Sequence, residues 1–224
     1  MPKAILLRTE RPVLLPRERE THEWYEANDP AREFDLEVVY DNSPGGWVRY
    51  SEVFRSAWNL ARARGCAFIN SESDVTPTME AFRQVLTCRE KVCMVPYVIY
   101  EYNNGRPFGH SATIETRVPG GWDAHLAAGG EEWAVAGDMG FLRFSKECVA
   151  ELDIAGLPEQ PRQDGLLNQL LYEWLKLRLR TSNVFHLHWP ALKNAHVMWD
   201  SGDAAHHPVG SELWNRDRPG DRLK

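Results

Sequence analysis

The chain has 224 residues, 43% of them hydrophobic, enough for one well-buried core and not for two large ones. A formal net charge of −6 and a pI near 5.8 give no general basic field for gripping phosphate backbones, so nucleic acid is unsupported as a partner, although the 26 Lys and Arg leave room for a local cluster. The run VCMVPYVIY falls far short of a membrane span, the apolar run in MPKAILLRTERP is too short for a signal peptide, and Cys66, Cys88, Cys93 and Cys148 show no Cys-x-x-Cys pairing. The expectation is a soluble, cytoplasmic protein of one domain with buried, reduced thiols.

In chain order, Ala4 to Leu7 read as a first strand bounded by Arg8-Thr9-Glu10-Arg11-Pro12, and Pro16 to Ala27 as a helix with acids and arginines outward. Phe34 to Tyr40 form a second strand. It ends in Asp41-Asn42-Ser43-Pro44-Gly45-Gly46, turn formers that expose carboxylate and amide groups at a sheet edge. Tyr50 to Arg64 carry Val53, Phe54, Ala57, Trp58, Leu60 and Ala61 at helical spacing. Cys66 to Ile69 read as a buried strand, polarity flips at Asn70-Ser71, and Glu72 and Asp74 follow one residue apart. Thr76-Pro77 then predicts a helix start.

In an extended backbone, positions two apart point the same way, so both carboxylates can lean on one hard divalent cation, Mg²⁺ or Mn²⁺. Spacing alone decides little, because at this acid content chance gives roughly five acid-x-acid pairs, and five occur. Glu18/Glu20 and Glu151/Asp153 sit in stretches that read as helix, where residues two apart do not face one another. Glu72/Asp74 directly follows a buried strand. Strand, helix, strand, helix, strand within about eighty residues predicts an α/β fold with a parallel sheet and right-handed crossovers. The three strand ends carrying Arg8/Arg11, Asp41/Asn42 and Glu72/Asp74 then converge on one rim, where open α/β sheets hold ligands.

The order RTERPVLL, EVVYDNSPGG, AWNLARARGCAFINSESDVTP resembles the nucleotide-binding half of GT-A-fold glycosyltransferases of the family-2 type, over roughly residues 3–90. Asn59 stands where that family carries a helix Asn, and Glu72 departs from its usual Asp. The resemblance implies a GT-A-like (Rossmann-like), mostly parallel central sheet flanked by helices, in which Asp41, Asn42 and the neighbourhood of Thr9 hold the nucleoside. It also implies that Asp74 with Glu72 binds Mn²⁺ or Mg²⁺ against the donor diphosphate, where Arg8 and Arg11 add positive charge. A nucleoside diphosphate gains negative charge as it departs, and a fixed cation stabilises that charge.

Glu80 to Cys88 complete a helix and Val92 to Tyr100 a fourth strand. Residues 101–130 are rich in Gly and turn formers, with Ser111 to Val118 patterned like a strand. This loop reads as an acceptor-side flap in which Trp122 and His125 either contact a sugar or anchor the loop. Trp133 to Phe144 read as a strand interrupted at Gly137 and Gly140. Asp138 there is a turn or bulge acid, or, as the resemblance implies, lies under the donor sugar. Leu166, Leu167, Leu170, Leu171, Trp174 and Leu175 mark an amphipathic helix to about Arg180, with Asp164 at its start. An Asp there caps the helix; in the resembled family the equivalent Asp of an acid-Asp pair, here Gln163-Asp164, is the base that deprotonates the acceptor. Asn183 to Trp189 predict a last strand with His186 and His188 on one face. The resemblance makes one of these, His188 ahead of His186, a third metal ligand.

The combined expectation is an inverting, metal-dependent glycosyltransferase. Its nucleotide-binding half spans about 1–100, its acceptor half 101–200 and a tail 201–224. The donor is a nucleotide-sugar, a UDP-sugar foremost, and the acceptor a saccharide, lipid, protein or hydroxylated nucleobase. A non-catalytic nucleotide-sugar-binding module is the competing reading. A nucleotidyltransferase ranks below both, because RTERPVLLP lacks the glycines of a triphosphate loop.

Overall fold

The computed structural model describes residues 1–9, 16–41, 47–72, 75–95, 97–100, 107–110, 112–113, 130–134, 136–137, 140–152, 154, 185–189 and 196–199. In chain order these form β1 (Ala4–Thr9), α1 (Pro16–Asn28), α2 (Pro30–Phe34), β2 (Leu36–Asp41), α3 (Trp47–Arg64), β3 (Ala67–Ser71), α4 (Met79–Thr87) and β4 (Val92–Met94). There follow β5 (Tyr97–Tyr100), β6 (Pro107–His110), β7 (Ala112–Thr113), β8 (Gly130–Ala134), β9 (Ala136–Gly137), β10 (Phe141–Phe144), α5 (Lys146–Glu151), β11 (Phe185–Trp189) and β12 (His196–Trp199). The main sheet has seven strands in the order β2-β1-β3-β10-β4-β11-β8. β10 and β8 run antiparallel to their neighbours and the other five are mutually parallel, so the expected mostly parallel central sheet flanked by helices is what forms.

Period-two alternation divides this sheet into two apolar faces. Ile5, Leu7, Phe68 and Phe144 meet Phe54, Ala57, Trp58 and Ala61 of α3, all buried. Phe68 is central there, with ring centroids 5.0 Å from Phe54, 5.6 Å from Trp58 and 5.9 Å from Phe144. On the other face Ala4, Leu6, Leu36, Ile69, Cys93 and Phe141 pack with Tyr25 of α1 and Ala81, Phe82 and Val85 of α4. Phe82 organises this side, with ring centroids 5.0 Å from Phe141, 5.8 Å from Phe34 and 6.4 Å from Trp24. Burial raises the Cys148 thiol of α5 to about 12, which keeps it neutral.

Several local expectations are corrected. The second strand begins at Leu36 rather than Phe34, because α2 intervenes: Asp29 caps it by accepting from the Arg32 N–H, Pro30 opens it, and Asp35 ends it in the left-handed region at φ 57. Asp tolerates that region through local hydrogen bonding. The helix after the acid pair starts at Met79, capped by Thr78, whose hydroxyl accepts from the Ala81 N–H. Val92 to Tyr100 is two strands in two sheets, and the sequence puts Pro96, which has no N–H for a ladder, between them. Trp133 to Phe144 is likewise three strands: β8 in the main sheet, β9 paired with β7, and β10 back in the middle of the main sheet. β6 and β12 fall where no element is expected, and β5, β6 and β12 form a second sheet. Among the described residues no helix is long and apolar enough to cross a membrane.

Phe68→Ala removes the ring shared by three aromatic neighbours. It is expected to cost about 3–5 kcal/mol of unfolding free energy, read as a lowered midpoint in urea denaturation with an unchanged slope.

Candidate active site

The carboxyl ends of β2, β1 and β3 lie side by side, because Thr9 pairs with Asp41 and Arg8 pairs with both Tyr40 and Ser71. At ~4.8 Å per strand step, the backbone at Asp41 and that at the end of β3 are about 10 Å apart. Residues 8, 9, 41 and 72 therefore share one rim. The sheet divides their side chains. Tyr40, Arg8 and Ser71 point toward α1, and Asp41 and Asn70, alternating with them, point toward α3. Asp41 is 3% exposed and Asn70 fully buried, so this carboxylate and amide lie inside the fold beneath the rim.

The α1 side is held by a connected set of contacts. The Arg8 guanidinium carbon lies 3.8 Å from the Tyr25 ring centroid and 5.5 Å from that of Tyr40, a stacked cation between two rings. Arg8 also donates to His22 Nδ1 at 3.4 Å. With 6% exposure, Arg8 is a fixed part of the wall. Tyr25 donates its phenol to Ser71 Oγ at 2.8 Å; burial pushes this phenol well above its usual range, while Ser71 and Arg8 pull the other way by less, so it stays a neutral donor. Thr21 and Thr76 join hydroxyls at 2.8 Å. Together these bonds tie α1 to the end of β3 and to the segment beyond it. Leu6, Arg8, Tyr25, Glu26, Asp29, Pro30, Ala31, Val38 and Tyr40 line a cleft of about 260 Å³ on this side.

Glu72 is held by its backbone. Its N–H donates to the Gly140 carbonyl at 2.9 Å, and its carbonyl accepts from the Val75 N–H at 3.4 Å. Val75 is fully buried, and the Glu72 side chain is half-buried. Its oxygens are hard donors of the kind Mg²⁺ and Mn²⁺ select.

Of the residues expected from sequence, Arg8, Thr9, Asp41 and Glu72 come together along this rim. His186 does not join them. It is level with Cys93, Arg143 and Ile69, three strands or about 14 Å across the sheet from β3. With metal–nitrogen bonds of only about 2 Å, it cannot share an ion with Glu72. Its Nδ1 instead lies 3.3 Å from Cys88 Sγ. Arg11, Asn42, Asp74, Trp122, His125, Asp138 and Asp164 lie outside the described residues, as do the side chains of Thr9 and His188. Sequence reasoning missed Thr21, Tyr25, Ser71 and Thr76 as positioning residues. The one available signal was a Thr and a Tyr four residues apart on the predicted first helix.

No protein-family model matches the chain and no curated protein matches it. Among solved structures, it is similar to A197 from STIV, at a TM-score of 0.48 and 9% identity over 93% of this chain and 100% of that one. It is also similar to a glycosyltransferase involved in glycosylation of the major capsid of PBCV-1, at a TM-score of 0.45 and 13% identity over 88% of this chain and 93% of that one. At TM-scores below 0.5, neither likeness bears on what this chain does.

Tyr25→Phe leaves Ser71 without its buried phenol partner. The expected loss is about 1–3 kcal/mol, seen in urea denaturation. Amide exchange at Ser71 and Glu72 should accelerate more than that at Leu6.

Proposed function

We propose that this chain is a metal-dependent glycosyltransferase that moves a sugar from a nucleotide-sugar, a UDP-sugar foremost, to an acceptor hydroxyl. The observation that carries the proposal is the convergence of Thr9, Asp41 and Glu72 on the carboxyl ends of three adjacent strands. Their backbone span of about 10 Å suits a nucleoside joined to a diphosphate. The order of motifs along the sequence supports the same reading.

In this reading Asp41, with Thr9 and Asn42, accepts hydrogen bonds from or donates them to the nucleoside. Glu72 and Asp74 hold a divalent cation, which when bound stabilises the charge of the departing diphosphate. The bond from Glu72 N–H to the Gly140 carbonyl fixes the backbone of the first acid before the ligand arrives, which lowers the ordering cost at binding. Arg8 acts as a wall residue, positioning Tyr25 and Tyr40 rather than touching phosphate. Asp138 lies beneath the donor sugar, and Trp122 and His125 face the acceptor. Asp164 takes the proton of the acceptor hydroxyl as that oxygen attacks the anomeric carbon opposite the leaving diphosphate, which inverts the anomeric configuration.

A thermal-shift screen of nucleotide-sugars with and without Mn²⁺ tests this directly, since a ligand that binds the folded state raises its apparent stability. At least one donor should raise the melting temperature with Mn²⁺ present, and Glu72→Ala and Asp74→Ala should remove the metal-dependent part. No shift with any donor would overturn the proposal. Asp164→Asn should keep the donor-dependent shift while lowering transfer by about 10²–10⁴-fold. A donor that binds well but is never transferred or hydrolysed would leave the nucleotide-sugar-binding module as the better description.

A further inference from the structure

We infer that Cys88, Cys93 and His186 form a second cation site, separate from the rim and selective for a soft or borderline metal such as Zn²⁺. One ligand atom from each of the three lies within 4.8 Å of the other two, and Cys88 Sγ is 3.3 Å from His186 Nδ1. Around a tetrahedral zinc with Zn–S near 2.3 Å and Zn–N near 2.0 Å, such atoms are separated by roughly 3.5–3.8 Å. Shifts of an ångström or less convert the cluster into a coordination sphere.

The fold explains the meeting of residues distant in sequence. Cys93 and His186 are register partners on the adjacent parallel strands β4 and β11, facing α4. Cys88 is the C-cap of α4, its N–H donating to the Gln84 carbonyl, and so overhangs the same face. Arg143, the register partner of Cys93 on the other side, is 5% exposed and donates to the carbonyls of Cys88 at 2.9 Å and Glu90 at 2.7 Å. It fixes the turn that carries the first thiol, as outer-shell partners do in metal sites.

The donor chemistry sets the metal class. Two thiolates and an imidazole suit Zn²⁺ and discriminate against Mg²⁺ and Mn²⁺. Binding one Zn²⁺ releases two protons, one from each thiol, and leaves three protein ligands with water as the fourth. Cys93 is fully buried and His186 9% exposed, so the metal clamps α4 to β4 and β11.

Co²⁺ titration of the full-length protein, isolated under reductant and stripped of metal, tests this. One equivalent should produce thiolate-to-metal charge transfer and tetrahedral d–d absorption, and one equivalent of Zn²⁺ should bleach both. Cys88→Ser and His186→Gln should each weaken Zn²⁺ binding by more than the ~10–100-fold typical of losing an outer-shell partner. Circular dichroism identifies any variant that fails to fold, and the partly exposed Cys88 makes its variant the safer of the two. Glu72→Ala has no sulfur to remove and should leave the charge-transfer band intact, so failure of the rim proposal and failure of this one are distinguishable. Absence of the band in the parent protein would overturn the site, as would an unchanged Zn²⁺ affinity in Cys88→Ser.

Discussion

The antiparallel insertion of β10 between β3 and β4 is the constraint on which the candidate site depends. Phe141 pairs with Ser71 and the Gly140 carbonyl takes the Glu72 N–H, so the ladder continues one residue beyond the strand proper. β3 is thereby paired on both sides to its last residue, with β1 completing the other edge. A carboxylate on a fraying strand end would sample many positions, and ordering it would subtract from the affinity of whatever it binds. Here the backbone of the first acid is settled by Gly140, a partner far along the chain.

The same sheet separates two kinds of work. Toward α1, Arg8 is enclosed by Tyr25 and Tyr40 and shares the set of contacts that leads through Ser71 to the acid segment. Toward α3, Asp41 and Asn70 keep polar atoms inside an otherwise aromatic layer. Neighbouring residues of one strand point to opposite faces. Arg8 therefore faces α1, while Asp41 and Asn70 on the neighbouring strands face α3. This gives Arg8 its structural role, while residues 9, 41 and 72 mark the ends of the three strands along the rim.

Much of the first ninety residues was legible, since strand–helix alternation with strong apolar periodicity is a local property. β1, α1, α3, β3 and α4 lie near their expected places, and the convergence of Arg8, Thr9, Asp41 and Glu72 follows from parallel strand order alone. The later half was read less well for identifiable reasons. A continuous apolar stretch such as VCMVPYVIY does not announce that its ends join different sheets, and WAVAGDMGFLRF does not announce that its last four residues reverse direction between two earlier strands. The position of His186 has the same origin. Which strand lies beside β11 is a long-range fact, and that neighbour is β4 rather than β3.

That displacement of His186 bears on how one protein could hold two unlike cations. α4 leaves the rim at Thr78 and ends at Cys88, and a nine-residue helix spans about 13 Å. Glu72 therefore lies toward its amino end and the sulfur–nitrogen cluster at its carboxyl end. A divalent ion meeting the protein faces carboxylates in one place and thiolates with imidazole in the other, and softness sorts the ions without either site being especially tight. Because α4 buries Ala81, Phe82 and Val85 against the sheet between those ends, a clamp at Cys88 also steadies the helix whose first turn follows the acid segment. The metal we infer away from the chemistry would thus act on the rim mechanically, through the rigidity of one short helix.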